Sequence, residues 1–174
     1  MKPLNNDLHP DRSASTKLAG WISISLIILI ADQLTKLWFD SNLNPGQRIH
    51  VLPFFDFTLM FNPGAAFSFL ADQPGWQRWF FTSLGIAASL FILWLMRRSL
   101  KNRRLMLALS LILGGAIGNV IDRIAYGQVI DFLLFYWHQW YYPAFNLADS
   151  AITVGAILLI FDELMSIRGQ RAGS

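Results

Sequence analysis

The chain has 174 residues, of which 54% are hydrophobic and only 14% charged, with a net charge of +3 and no cysteine. This balance, with its positive mean hydropathy, excludes an ordinary water-soluble domain. The missing cysteines exclude a disulfide framework, a thiolate nucleophile and a Cys-based metal site.

Residues 1–17 read as a flexible cytoplasmic tail, polar and punctuated by Pro3 and Pro10. Leu18 to Phe39 is then the first of four windows with roughly the 20 mostly apolar residues that a helix needs to cross the hydrocarbon. It is too long for a signal-peptide core and no small-x-small cleavage site follows it, so it is expected to remain as an anchor. Asp32 and Lys36 lie within it, four residues apart and on one helical face. Either they form a local neutral pair that lowers the cost of insertion, or they brace a neighbouring site.

Between residues 40 and 75, "RIHVLPFFDFTLMFNPGAAFSFL" runs through β-branched and aromatic residues to an Asn62-Pro63-Gly64 turn signal and resumes. This pattern predicts a small antiparallel β-cradle on the membrane surface, where lipid would cover apolar residues that invite aggregation in water. The second window, Trp76 to Met96, leads into "MRRSLKNRRL". Positive residues in short loops are retained on the cytoplasmic side, so this loop and both termini are assigned there. The excess of Lys and Arg therefore reports topology, and nucleic-acid binding is not expected.

The third window, Leu105 to Ala125, contains "GGAIGNVIDR". Gly114 and Gly118 form a G-x-x-x-G pattern that lets another helix approach closely. Gly115, Asn119 and Asp122 share one stripe with Arg123 close by, which would deliver an amide, an acid and a guanidinium to that interface. Residues 126–147 form an outer loop crowded with Trp and Tyr, side chains suited to the headgroup level. His138 belongs with these interfacial residues. The fourth window, Ala148 to Met165, returns to the cytoplasm, where Asp162 and Glu163 read as solvated or paired with the basic tail, residues 167–174. The whole is one membrane domain over residues 18–166, mainly α, with four transmembrane helices, a β-cradle and an outer aromatic loop.

Topology gives each polar group a depth. Asp32, Lys36, Asn119, Asp122, Arg123, Asp131, Asn146 and Asp149 all converge on the outer membrane boundary, and such a concentration marks a site. Asp131 opens the outer loop and Asp149 opens the fourth helix. Two carboxylates in a low-dielectric site cannot both ionise cheaply, so one keeps a proton. The charged member can then take a proton from water while the neutral one polarises a carbonyl. Alternatively, Asp149 only caps its helix. Other hydrolytic apparatus is missing: His9, His50 and His138 are scattered without H-E-x-x-H spacing, and no G-x-S-x-G elbow exists. No metal or other cofactor is expected. Two competing classes are a small proton-coupled transporter component, which predicts acids spread across the bilayer depth, and a lipid-phosphate hydrolase clamping phosphate with Arg48, Arg78 and Arg123.

Five motifs in order, "DQLTK" (Asp32 to Lys36), "NPGAAFSF" (Asn62 to Phe69), "GGAIGNVIDR" (Gly114 to Arg123), "VIDF" (Val129 to Phe132) and "FNLADS" (Phe145 to Ser150), closely resemble those of the bacterial lipoprotein signal peptidases, or signal peptidase II. The resemblance implies an intramembrane aspartyl endopeptidase of the inner membrane. Such an enzyme removes the signal peptide from a prolipoprotein on the N-terminal side of a diacylglyceryl-modified cysteine. It further implies Asp131 and Asp149 as the catalytic dyad, and Asn62, Gly64, Asn119, Asp122, Arg123, Asn146 and Ala148 as substrate-binding residues. Asp32, Lys36 and Gly115 would support the fold. The implied partners are the lipid-modified substrate and membrane lipids, with the protein itself a monomer.

Overall fold

A computed structural model describes residues 12–64 and 75–172. The elements in chain order are α1 (Arg12–Asn42), β1 (Arg48–Leu52), β2 (Phe55–Asn62), α2 (Trp76–Arg98), α3 (Arg103–Ala125), β3 (Val129–Trp137), β4 (Trp140–Tyr141) and α4 (Leu147–Ala172). All four helices are long and apolar enough to cross a membrane. Most of the expected N-terminal tail, the end of the expected C-terminal tail and Ala65 to Phe69 of the "NPGAAFSF" motif lie outside the described residues.

Helix α3 is the centre of the bundle. Of its apolar window 61% is buried, against 11%, 22% and 11% for α1, α2 and α4. The other helices turn Leu26, Ile27, Leu84, Leu90, Ile157 and Ile160 outward, as a lipid-facing surface requires. Backbones come close where α3 is smallest. A Cβ on Gly114 would meet the Ser25 carbonyl of α1, one on Gly115 the Ala148 carbonyl at the start of α4, and one on Gly118 the Asp32 carboxylate. The glycine pattern thus serves two helices at once.

At the end of the bundle where α2 passes into α3, Ile92, Met96, Met106, Leu109 and Leu113 form one core cluster. Asn102 caps α3 by accepting from the Arg104 and Leu105 amides, and its Nδ2 donates to Asp162 at 2.6 Å. Asp162 is therefore bound to a helix cap. At the other end, Phe39, Leu43, Leu59, Ile130 and Phe132 pack the end of α1 against the sheet, with Phe39 and Phe132 stacked at 4.4 Å.

The sheet differs from expectation in its membership. It has four antiparallel strands in the order β1-β2-β3-β4. The hairpin turns at Pro53 and Phe54, while Asn62, where a turn was expected, ends β2 opposite Val129. The expected outer loop contributes β3 and β4. Residues 129–137, "VIDFLLFYW", have strong β propensity, and pairing with β2 satisfies their backbone groups at a boundary where water is scarce. The helix ends differ too. Helix α1 starts at Arg12 rather than Leu18 and α4 runs to Ala172 rather than Met165, because hydropathy marks where a helix leaves the hydrocarbon and not where its hydrogen bonds stop.

Candidate active site

The expected site residues come together where the C-terminal ends of α1 and α3, the start of α4 and strand β3 meet. Lys36 is 1% exposed and Asp32 and Asp122 are fully buried. The Lys36 ammonium lies 2.7 Å from Asp32, 2.9 Å from Asp122 and donates to Asn119 Oδ1 at 3.0 Å. The local pair and the brace are thus one arrangement: a buried ammonium serves an acid on its own helix and two groups on α3. Each acid is further occupied. Asp32 Oδ1 accepts the Ala148 amide at 2.9 Å, and Asp122 Oδ2 accepts the Ile130 amide at 3.2 Å. Ala148 thus enters the network through its backbone amide, and its methyl is fully buried.

Asn119 passes this order on. Its carbonyl oxygen faces an ammonium that can only donate, so its Nδ2 must point the other way, and it donates to Asp149 Oδ1 at 2.7 Å. Asn146, just before α4, is fixed in the same manner. Its Oδ1 accepts the Asp149 amide at 2.9 Å, and its Nδ2 donates to Asp131 Oδ1 at 2.8 Å. The second oxygen of Asp131 accepts from Asn62 Nδ2 at 3.1 Å, while Asn62 Oδ1 accepts the Gly64 amide at 2.9 Å. Gly64 has a φ of 110°, and a Cβ there would strike the Phe81 ring. The Arg123 guanidinium rests over the same ring at 5.5 Å and donates to the Asn119 carbonyl at 3.2 Å.

Asp131 is 2% exposed, and its carboxyl is pushed up to about 7. Burial is the main cause and the neighbouring charge of Asp149 adds to it. Hydrogen bonds from Asn62 and Asn146 and the charge of Lys36 oppose the shift. A cavity of about 500 Å³ opens over Asp131, walled by Met60, Phe61, Asn62, Tyr141 and Tyr142. Its size suits a bound ligand of several heavy groups.

Every sequence-expected site residue lies within this network or packs directly against it. Gln33 was missed: its Nε2 donates to Asp122 Oδ1 at 2.9 Å and to the Gly118 carbonyl at 3.3 Å. Its place inside "DQLTK", as a polar side chain in a membrane helix, was the available signal. The phosphate-clamp reading loses one of its three guanidiniums, because Arg78 is spent on the carbonyls of Arg123 and Ile124. The buried acids Asp32, Asp122 and Asp131 also cluster at one end of the bundle, against a transport relay. His138 sits in the β3–β4 turn against Trp137, with a φ of 53°.

Residues 24–165 match the family described as signal peptidase (SPase) II. The chain is 56% identical over 160 residues to a protein of Burkholderia thailandensis named lipoprotein signal peptidase, covering 92% of this chain and 96% of that one. The lipoprotein signal peptidase of Burkholderia vietnamiensis is 54% identical over the same shares. Two solved bacterial membrane enzymes superpose with TM-scores of 0.76 and 0.74 at 31% and 32% identity. They cover 86% and 84% of this chain and 90% and 93% of theirs. With the motifs, the four helices and the sheet in agreement, the chain belongs to the signal peptidase II family, bacterial membrane proteases that process lipoproteins.

Proposed function

We propose that this protease is of the aspartic type, with Asp131 and Asp149 as its dyad. Its substrate is a prolipoprotein whose cysteine carries a diacylglyceryl group, and the bond cut is the one on the N-terminal side of that cysteine. The observation that carries this reading is Asn146, one side chain hydrogen-bonded to the carboxylate of Asp131 and to the backbone of Asp149. It couples the two acids without neutralising either.

In this mechanism Asp131, the acid pushed up to about 7 by burial, holds the proton and polarises the scissile carbonyl. Asp149, held as an acceptor by Asn119, takes a proton from the attacking water. Collapse of the tetrahedral intermediate breaks the C–N bond, and a proton passes from the dyad to the leaving amine. Asn62, Gly64 and Arg123 line the approach and bind substrate. The positive loop between α2 and α3 supports an orientation with both termini in the cytoplasm. The site then opens at the outer leaflet of the inner membrane, where a lipid-modified substrate arrives by lateral diffusion.

The test is cleavage of a diacylglyceryl-modified lipopeptide by the protein in liposomes, with the products identified by mass spectrometry. The reading requires a cut before the lipidated cysteine, unmodified peptide turned over poorly, and full activity in the presence of chelator. Abolition by chelator would replace the dyad with a metal.

A further inference from the structure

We propose that Arg48 is a specificity-determining residue that recognises an acidic side chain three or four residues into the mature segment of the substrate. This rests on the proposed dyad for its reference point.

Arg48 opens β1 and lines the same cavity as Asp131; its guanidinium lies 4.7 Å above the Tyr141 ring. That stacking restrains a flexible cation without neutralising it, and among the described residues Arg48 forms no ion pair with a carboxylate. The other lining groups, including Met60, Phe61, Leu134 and Tyr142, are uncharged. The cavity therefore has the acid Asp131 at the reacting end and a single cation, Arg48, at the far end.

The sheet register sets the separation. Arg48 faces Thr58 of β2, and Asp131 faces Met60 of the same strand. Two strand spacings across and two positions along put the backbones roughly 12 Å apart, which an extended peptide spans in about three or four residues. The direction follows from the packing. Strands β2 and β3 rest on α1 and α3, whereas β1 is the edge strand and pairs with β2. The cavity thus runs from the helix ends to the edge away from the bundle. A signal peptide is apolar up to its cleavage region and stays with the helices. The polypeptide that passes Arg48 is the mature segment, on its way to water, where Asp or Glu can occur. There Arg48 attracts a carboxylate and repels Lys or Arg.

The experiment uses the full chain in vesicles of zwitterionic lipid only, with lipid-modified peptides that differ by Asp, Asn or Lys at one of positions two to five after the lipidated cysteine. The readout is the ratio of kcat/KM between two peptides on the same enzyme, which cancels any loss of folded protein and does not depend on which residues perform the hydrolysis. The native enzyme should favour Asp over Lys by about fivefold at position three or four. Added salt should shrink that preference, Arg48→Gln should remove it, and Arg48→Glu should reverse it. Equal ratios in native enzyme and both variants would overturn the proposal. So would a uniform slowing of all peptides by Arg48→Gln, which is the result expected if the guanidinium holds backbone or lipid instead. Loss of all turnover in dyad variants, or its persistence, bears on the proposed mechanism and leaves these ratios untouched.

Discussion

Asn146 and Asp149 exchange two hydrogen bonds: the Asn146 side chain accepts the Asp149 amide at 2.9 Å, and the Asp149 carboxylate accepts the Asn146 amide at 3.3 Å. This is a reciprocal cap at the start of α4. The cap position belongs to Asn146, just before Leu147, and Asp149 three residues on reaches back to it, so Asp149 is not the cap that its residue type suggested. The cap leaves Asn146 Nδ2 free to reach Asp131, so helix initiation and acid placement share one residue.

Removing that residue should therefore affect turnover and stability together. Asn146→Ala loses the contact to Asp131 and half of the cap. Turnover of lipopeptide should fall at least about 100-fold, and thermal unfolding in detergent should show a loss of about 1 kcal/mol. A variant with the lost stability but near-native turnover would show that Asn146 only starts the helix.

The pH dependence follows from Asp131. Its carboxyl is pushed up to about 7, first by burial and then by Asp149, so it is neutral below that value and charged above it. A step that needs the neutral form is fully available below about 7 and is lost as pH rises through it. kcat/KM should thus have a descending alkaline limb near 7, a property of the coupled pair. The Asn62 hydrogen bond favours the charged form, so Asn62→Leu should move the limb to higher pH. A limb that moves down or stays would remove Asp131 from the role of neutral member.

Lys36 is predicted to matter through what it leaves behind. Lys36→Met strands Asp32 and Asp122 without their cation, and breaking a buried pair in this way costs about 3–5 kcal/mol. Melting in detergent should drop sharply, and adding Asp32→Asn should recover part of it. Turnover should recover less than stability, because Asn119 has lost the ammonium that fixes its orientation toward Asp149.

The aromatic tip makes a separate prediction. Trp137 and Trp140 are 68% and 82% exposed, and with Phe54, Phe135 and Tyr142 they wall a second cavity of about 610 Å³. Such rings suit the lipid headgroup level. Deleting Trp137 to Tyr141 should weaken turnover of membrane-embedded substrate several-fold through KM. Unchanged turnover and affinity would remove the tip from substrate capture.

The sequence makes local features legible and long-range ones only by depth. The Asp32 and Lys36 pair is four residues apart on one helix and was readable; the reach of Lys36 to Asp122 and Asn119 depends on how α1 packs on α3. Topology puts the acids at one membrane boundary, but the bridging by Asn146 needs the segment before α4 to pair with β3, as Phe145 does with Leu133. Strand β3 was hidden because its first residues are buried on both faces, so the alternation that reveals a half-exposed strand is absent. Asp56 shows the same limit: it is fully buried among aromatics, and its partner His50 at 2.8 Å comes from the neighbouring strand.

The most direct measurement compares native protein with Asp131→Asn and Asp149→Asn in the cleavage of one diacylglyceryl-modified lipopeptide, with folding checked by thermal melting. In the proposed mechanism each acid has a distinct and necessary part, so each variant should lose at least about 1,000-fold in turnover while remaining folded and binding substrate. Near-native turnover by either folded variant would contradict the assignment of the dyad.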